Sequence, residues 1–376
     1  MIKIINMKSS ADPEFCVLGA EEVCARLGIA RQTLYAYVSR GLVRVCADPA
    51  DSRRSLYDRR DVGLIESRQR RSRARTSIAR STIDWGEPIM VSSITRIADG
   101  RFYYRGKDAV TWSETATLED TARLLIGKEF EEPASLLPSR QHVAEGAPLM
   151  RIAHVMLQLA ATDWPLSPST VLDCGAGAIA GTQDTSSALI HARLAAVWGV
   201  DAHGADLIRR ALVLSADHEL NASAYAVRVA ASTGTSLPAA VLAGLMTLSG
   251  PLHGGQTSKA RAWLDECCKG QRPAGPPPGF GHPLYPDGDI RATALLERIE
   301  LPKNCTAAIA QAIAETETFP TLDIGLAGVE LSLRLPMGAG LGLFALGRFC
   351  GWMAHALEQQ RSGTLIRPRA FYQPHA

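Results

Sequence analysis

No Cys-x-x-Cys pair and no cysteine–histidine cluster at zinc spacing occurs in this chain, although it holds 8 cysteines in 376 residues. That excludes a zinc finger, a zinc ribbon and a thioredoxin-like redox motif, and no metal site is expected. Cys267 and Cys268 are adjacent, which does not suit a structural disulfide, so a reducing cytoplasm is the expected compartment. No apolar run is long enough to span a bilayer. The first residues lack the basic-then-apolar design of a secretory leader, and none is expected. Internal repeats are missing, as is any alternation of strand-like and helix-like stretches, which argues against a parallel α/β sheet. What is present is an ordinary soluble composition, 46% hydrophobic and 21% charged. The length exceeds one ordinary core, so roughly two or three domains are expected.

The net charge of +2 hides a split. Residues 1–80 carry 16 Lys and Arg against 9 Asp and Glu, a balance of +7, and the remainder carries 24 against 29, or −5. A basic head on a mildly acidic body suggests a head that meets a polyanion. Leu18 to Leu27 reads as a short amphipathic helix, with Val23 and Leu27 on one face. Gly28-Ile29-Ala30 breaks the pattern, and Arg31 to Arg40 forms a second helix with Leu34 and Val38 inward, stopped by Gly41. Helix, glycine turn, helix is the helix-turn-helix pattern. With Gly41-Leu42-Val43 and Arg53-Arg54-Ser55-Leu56-Tyr57 as a wing, residues 17–65 resemble the winged helices of MerR-type and excisionase-type proteins. The resemblance implies double-stranded DNA as partner, with Arg31, Gln32, Thr33 and Tyr35 toward the major groove and Arg53 and Arg54 on phosphates. A small appendage that docks on protein is the alternative. Residues 66–81, with six arginines and no apolar period, read as a basic linker.

The body reads as mostly α. Ile94 to Tyr104 forms a short hairpin around Asp99-Gly100. Helical stretches follow at Leu149–Ala161, Ser186–Val197, Ala205–Ala216 and Ala222–Leu248, each longer than a strand and punctuated by Gly or Pro.

Two histidines set among glycines, in Pro251-Leu252-His253-Gly254-Gly255 and Gly279-Phe280-Gly281-His282, stand ahead of an acid in Pro320-Thr321-Leu322-Asp323. Such a set suits removal of a proton beside a carbonyl: a base takes the proton, one imidazole holds the enolate oxygen, and the other works on the electrophile. Glycines on both sides of His253 force a turn and let backbone approach a ligand. Order, spacing and flanking residues resemble the citrate synthase family over about residues 90–376.

That resemblance assigns expected roles. Asp323 is the base, His253 a neutral donor to the thioester oxygen, and His282 the acid for the electrophile. Asp217-His218-Glu219 followed by Asn221-Ala222-Ser223 implies His218 on the keto acid, Ser223 orienting the catalytic imidazole and Asn221 supporting the loop. Arg291, in Asp289-Ile290-Arg291, and Arg348, in the run Leu343 to His355, are expected on substrate carboxylates. Arg367, in Ile366-Arg367-Pro368-Arg369, implies a homodimer in which it enters the partner's site. Departures from the family pattern are Lys107 for Tyr, Ser215 for a second His, Gln256-Thr257-Ser258 for Ala-Asn-Glu, Pro283 for Arg and Ile290 for Pro.

The implied architecture is a citrate synthase-like helical body. A large domain comprises 82–254 and 336–376, an inserted small domain 255–335, and a winged helix-turn-helix 1–65 precedes them. The implied function is condensation of acetyl-CoA or propionyl-CoA with oxaloacetate, with CoA as co-substrate product and no permanent cofactor. The other class left open is a DNA-binding transcriptional regulator whose body only senses a metabolite.

Overall fold

The computed structural model describes residues 16–51, 53–66, 90–130, 145–162, 165–181, 189–370 and 372. It divides into two compact units, one ending at Val91 and one beginning at Ser92. Most of the expected linker, 67–81, lies outside the described residues.

The first unit runs β1 (Cys16–Gly19), α1 (Ala20–Leu27), α2 (Arg31–Ser39), β2 (Val45–Ala47), β3 (Ser55–Asp58) and a helical stretch α3 over 59–66. The strands form one antiparallel sheet in the order β1-β3-β2. Gly28, with φ 64°, turns the chain between α1 and α2 as expected of a glycine stop. Leu18 corrects the sequence reading: it lies in β1 opposite Tyr57, not at a helix start. Pairing with β3 and burial beside Val23, Leu34, Val43 and Val62 override the local helical pattern. Cys46 is disulfide-bonded.

The second unit opens with β4 (Thr95–Ala98), β5 (Arg101–Tyr104) and β6 (Lys107–Asp108), an antiparallel sheet in the order β4-β5-β6. Asp99 and Gly100 both take positive φ, 54° and 69°, as a two-residue hairpin turn requires. Helices then follow: α4 (Ala109–Trp112), α5 (Leu118–Ile126), α6 (Pro148–Ala160), α7 (Pro168–Ala180), α8 (Ile190–Trp198) and α9 (Ala202–Leu214). After these come α10 (Ala222–Ser232), α11 (Leu237–Leu248), α12 (Gly255–Cys268), α13 (Ile290–Leu296), α14 (Lys303–Thr316), α15 (Leu322–Ser332) and α16 (Ala339–Ser362). The stretch expected over Ala222–Leu248 is two helices. The turn at Gly234, with φ 81°, separates them, and Pro238 starts the second at a position where its missing N–H costs nothing.

α16 is the axis of the main core. Every residue from Ala339 to Ala356 is buried, so the helix is covered on all sides. Leu346, Phe349, Trp352 and Met353 are fully buried on it, each such side chain worth about 1.5–3 kcal/mol before entropy is subtracted. A second, smaller cluster joins α12, α14 and α15 through Ala260, Trp263, Leu264, Cys305, Ala308, Ala312, Ile324 and Ala327. Glu330 ties these parts together. Its carboxylate accepts from Gly338 and Gly340 N–H at the start of α16 and from Arg261 of α12, at 2.6 Å. Among the described residues no helix is long and apolar enough to cross a membrane.

Candidate active site

α9 ends at Leu214, and the chain crosses to α10 through a strained connection. Glu219 takes φ 55°, a left-handed conformation unusual for a residue with a side chain, with its N–H held by Asp217 Oδ2 at 3.1 Å. Asn221 then caps α10, its Oδ1 accepting from Ser223 and Ala224 N–H. This fixes His218, which is buried between β5 and the loop carrying His282. His218 Nε2 lies 2.7 Å from Tyr285 Oη, and its ring is 5.3 Å from that of His282 and 6.0 Å from Phe102. Burial, then the cations Arg291 and Arg348, push its pKa well below the ordinary histidine value.

Asp217 is buried behind His218. Burial would raise its carboxyl pKa, but His355 and Arg348 outweigh that and hold it low. His355 Nε2 stands 3.4 Å from Asp217 Oδ1, a close contact that is not an aligned hydrogen bond. Only glycine fits at 351, because a Cβ there would overlap Asp217 Oδ1 and Ala216 O.

His253 sits in a turn closed by its own N–H to Gly250 O at 2.9 Å, from which α12 starts at Gly255. A Cβ on Gly255 would lie 2.7 Å from Gly250 O, so this turn excludes any larger residue. His253 Nε2 is 2.9 Å from Ser223 Oγ, which also receives Trp352 Nε1–H at 3.2 Å and lies 2.7 Å from Asn221 Oδ1. Ser223 has one proton to give. Ser223 Oγ donates its proton to Asn221 Oδ1 and accepts from Trp352, so the hydroxyl is held in place beside His253 Nε2. Burial, and secondarily Arg348, push the His253 pKa down to about 4, so the ring is neutral at physiological pH.

The loop 279–285 is tied to the segment before α15. Gly281 N–H donates to Phe319 O at 2.9 Å and Thr321 N–H to Gly279 O at 2.8 Å, so two motifs forty residues apart in sequence form one bridge. Leu284 N–H donates to His282 Nδ1 at 3.2 Å, which places the proton of the neutral ring on Nε2. Burial, then Arg291, push the His282 pKa down to about 4.

Asp289 caps α13 and grips Arg291, accepting from its Nε at 2.9 Å and Nη2 at 2.8 Å. Arg291 lies 5.3 Å from the Tyr285 ring centre. Burial works against the Arg291 charge, but Asp289 wins and raises its pKa. Arg348 is different: buried, 5.0 Å from the Phe344 ring centre, with Nε and Nη1 lacking a hydrogen-bond partner among the described residues. Burial pushes its pKa down to about 10, with Asp217 opposing, so it remains charged at neutral pH. Phe344 also packs edge-on against His253, which puts His253 and Arg348 on one side chain.

Asp323 lies in the first turn of α15. Thr257 Oγ1 donates to Oδ1 at 2.6 Å and Thr321 Oγ1 reaches Oδ2 at 3.0 Å. Burial raises its carboxyl pKa, and the two hydroxyls only partly oppose this. An acid with a raised pKa, neutral imidazoles, and a buried cation with two nitrogens lacking a hydrogen-bond partner among the described residues are groups able to abstract a carbon-bound proton and bind an anion.

Of the residues expected from sequence, His218, His282, Arg291 and their partner Tyr285 are brought together, and the charge of Arg348 acts on the same His218. Arg367 is outside this buried group, exposed in the extended segment after α16. In the first unit, Arg31 pairs with Glu21 at 2.8 Å and Arg54 with Asp51 at 3.7 Å, while Gln32, Tyr35 and Arg53 are exposed and Thr33 is half-buried. Sequence reading missed Tyr285, Trp352, Thr257 and Thr321. Tyr285 stands three residues after His282, a polar-tipped aromatic in a glycine- and proline-rich loop. Trp352 and Thr257 have no signal in a single sequence, because each acts through a partner far along the chain, whereas Thr321 caps α15 two residues before Asp323.

The citrate synthase C-terminal domain model matches residues 175–369. Citrate synthase 2 of Bacillus subtilis is 34% identical over 189 residues, 44% of this chain and 50% of that protein. 2-Methylcitrate synthase 1 of Corynebacterium glutamicum is 30% identical over 209 residues, 48% of this chain and 54% of that protein. The chain thus spans about half the length of the curated relatives it matches. Among solved structures, the Thermoplasma acidophilum citrate synthase in ternary complex with carboxymethyl coenzyme A and oxaloacetate superposes with a TM-score of 0.63 at 23% identity, over 77% of this chain and 94% of that one. The Thermotoga maritima citrate synthase gives 0.58 at 22% identity, over 77% and 94%. These structures share the fold of the helical body, and the family model spans more than half of the residues, those that carry His218, His253, His282 and Asp323 among them: the chain belongs to the citrate synthase family.

Proposed function

We propose that the second unit condenses a short acyl-CoA, acetyl or propionyl, with oxaloacetate and then hydrolyses the thioester to a tricarboxylate and CoA. The observation that carries this is the state of the acid–base groups: a carboxylate raised by burial and imidazoles lowered by it. Asp323 removes a proton from the acyl methyl or methylene carbon. His253 donates a ring N–H to the thioester oxygen as it becomes an enolate, a match better made by a neutral donor than by a cation. His282 donates Nε2–H to the keto oxygen as the carbon–carbon bond forms. His218, Arg291 and Arg348 hold the keto-acid carboxylates, and water then cleaves the thioester. Segment 255–335, which contains the smaller apolar cluster, is the small domain that closes over substrate, and 82–254 with 336–376 is the large one. No resident cofactor takes part. The test is release of free CoA from acetyl-CoA or propionyl-CoA that depends on oxaloacetate. No release with any short acyl-CoA would overturn the reading.

The assembly we propose is a homodimer in which Arg367 completes the partner's site, supported by its exposure on the segment after α16. Arg367→Ala is expected to weaken oxaloacetate binding while the mass in solution stays that of a dimer. Full activity from a monomer would contradict it.

The first unit is proposed as a winged helix-turn-helix that binds duplex DNA. In support, α1 and α2 meet across Gly28, β2 and β3 form a hairpin ending in Arg53 and Arg54, and residues 1–80 carry +7. Gln32 and Tyr35 are exposed on α2 for base edges, with Arg31 and Thr33 beside them. Binding is expected to fall steeply with salt, through counterion release, and to be lost without residues 1–80 while condensation persists. Anisotropy on genomic fragments checks this; weak binding indifferent to sequence and salt would refute it. A body that only senses a metabolite is disfavoured by the complete set of acid–base residues.

A further inference from the structure

Thr257 is buried in the first turn of α12, four residues after His253, at a position where the chain departs from the family's Ala-Asn-Glu run. Its hydroxyl lies 2.6 Å from Asp323 Oδ1, a distance typical of a bond to a carboxylate, and makes no other hydrogen bond among the described residues. Thr321 is not equivalent. Its Oγ1 is 3.0 Å from Asp323 Oδ2 and 3.1 Å from Gly279 O, so its single proton can serve either. The charged groups facing Asp323 are Arg291 of α13, which favours the carboxylate, and Asp289 at the cap of α13, which disfavours it. On the other packed elements the charges are engaged elsewhere. Arg261 of α12 pairs with Glu330 of α15, Arg348 of α16 lies against Phe344, and Arg209 of α9 pairs with Asp206. His282 belongs to the bridged loop and is neutral.

We propose that Thr257 is the positioning residue of the base. It holds Asp323 Oδ1 and so leaves Oδ2, whose partner Thr321 can turn to Gly279 O, as the oxygen that takes the substrate proton. Because Thr257 follows His253 in one turn and helix start, the same segment aims both the enolate donor and the base. This rests on the condensation reading above.

The experiment compares wild type with Thr257→Val, Thr257→Ser, Asp323→Asn and the Val/Asn double variant. Thr257→Val, which keeps the shape, is expected to lower kcat/KM at neutral pH by about tenfold or more, the worth of one hydrogen bond to a charged group. Its acid limb should move up in pH, and the rate should recover as pH rises. Thr257→Ser is expected to restore both. In the Asp323→Asn background, Thr257→Val should cost nothing further. An unmoved acid limb, or an equal loss in the Asn background, overturns the proposal. Carbon-13 NMR of the aspartate carboxyls, with the Asp323 signal identified by its loss in Asp323→Asn, follows the same titration without turnover. If wild type releases no CoA, the condensation reading fails, and this titration still decides whether Thr257 holds Asp323. A carboxyl that titrates identically in wild type and Thr257→Val overturns it whatever the activity.

Discussion

Asp323→Asn is expected to lower turnover by about 10²–10⁴, the usual worth of a general base, with little change in the affinity for oxaloacetate. The amide keeps the shape and can still receive the Thr257 proton, but it cannot accept one from carbon. The pH dependence carries the sharper test. Burial raises the Asp323 pKa, and the base must be ionised to work. The acid limb of kcat/KM should therefore lie above the ordinary carboxylate range, with rate lost as pH falls through it. His253 and His282, pushed down to about 4, and His218, pushed well below its ordinary value, stay neutral above that limb. They add no second step near neutrality. A variant with unchanged turnover, or a wild-type limb in the ordinary Asp range, would assign the base elsewhere.

Arg348→Met is expected to move binding and stability in opposite directions. Among the described residues Arg348 Nε and Nη1 are buried without a hydrogen-bond partner, and Asp217, the anion that most supports its charge, is also engaged by His355. Its desolvation is not repaid, so a methionine of similar length should leave the free protein as stable or more stable, by on the order of 1 kcal/mol. Oxaloacetate binding should weaken by about 10²-fold or more, because removing one partner of a buried charge pair costs roughly 2–5 kcal/mol. Thermal unfolding with and without oxaloacetate, beside the KM for oxaloacetate, checks both halves. A destabilised protein with unchanged KM would make Arg348 a structural residue.

Local sequence was a good guide wherever a local rule decides conformation. The Asp99-Gly100 hairpin turn and the Gly28 stop between α1 and α2 follow from turn chemistry and periodicity that act within a few residues. Leu18 failed that reading because its strand exists only through pairing with β3, and Ala222–Leu248 failed because one glycine turn outweighs a continuous apolar composition. The third strand, β6, is two residues long and pairs only because β5 lies beside it.

The chain alone, then, determined which groups are available: two glycine-flanked histidines, an acid after Pro-Thr-Leu, and arginines fit for carboxylates. It did so because those residue types at those spacings suit few kinds of chemistry. Tertiary structure decided how each group is set. Asn221 and Trp352 fix the Ser223 hydroxyl beside His253, and the 279–321 bridge joins His282 to the base segment. Asp289 pairs Arg291, Arg348 Nε and Nη1 have no hydrogen-bond partner among the described residues, and Thr257 donates to Asp323. Protonation and pairing depend on burial and on neighbours far along the chain, and neither quantity exists until the helices have packed around α16.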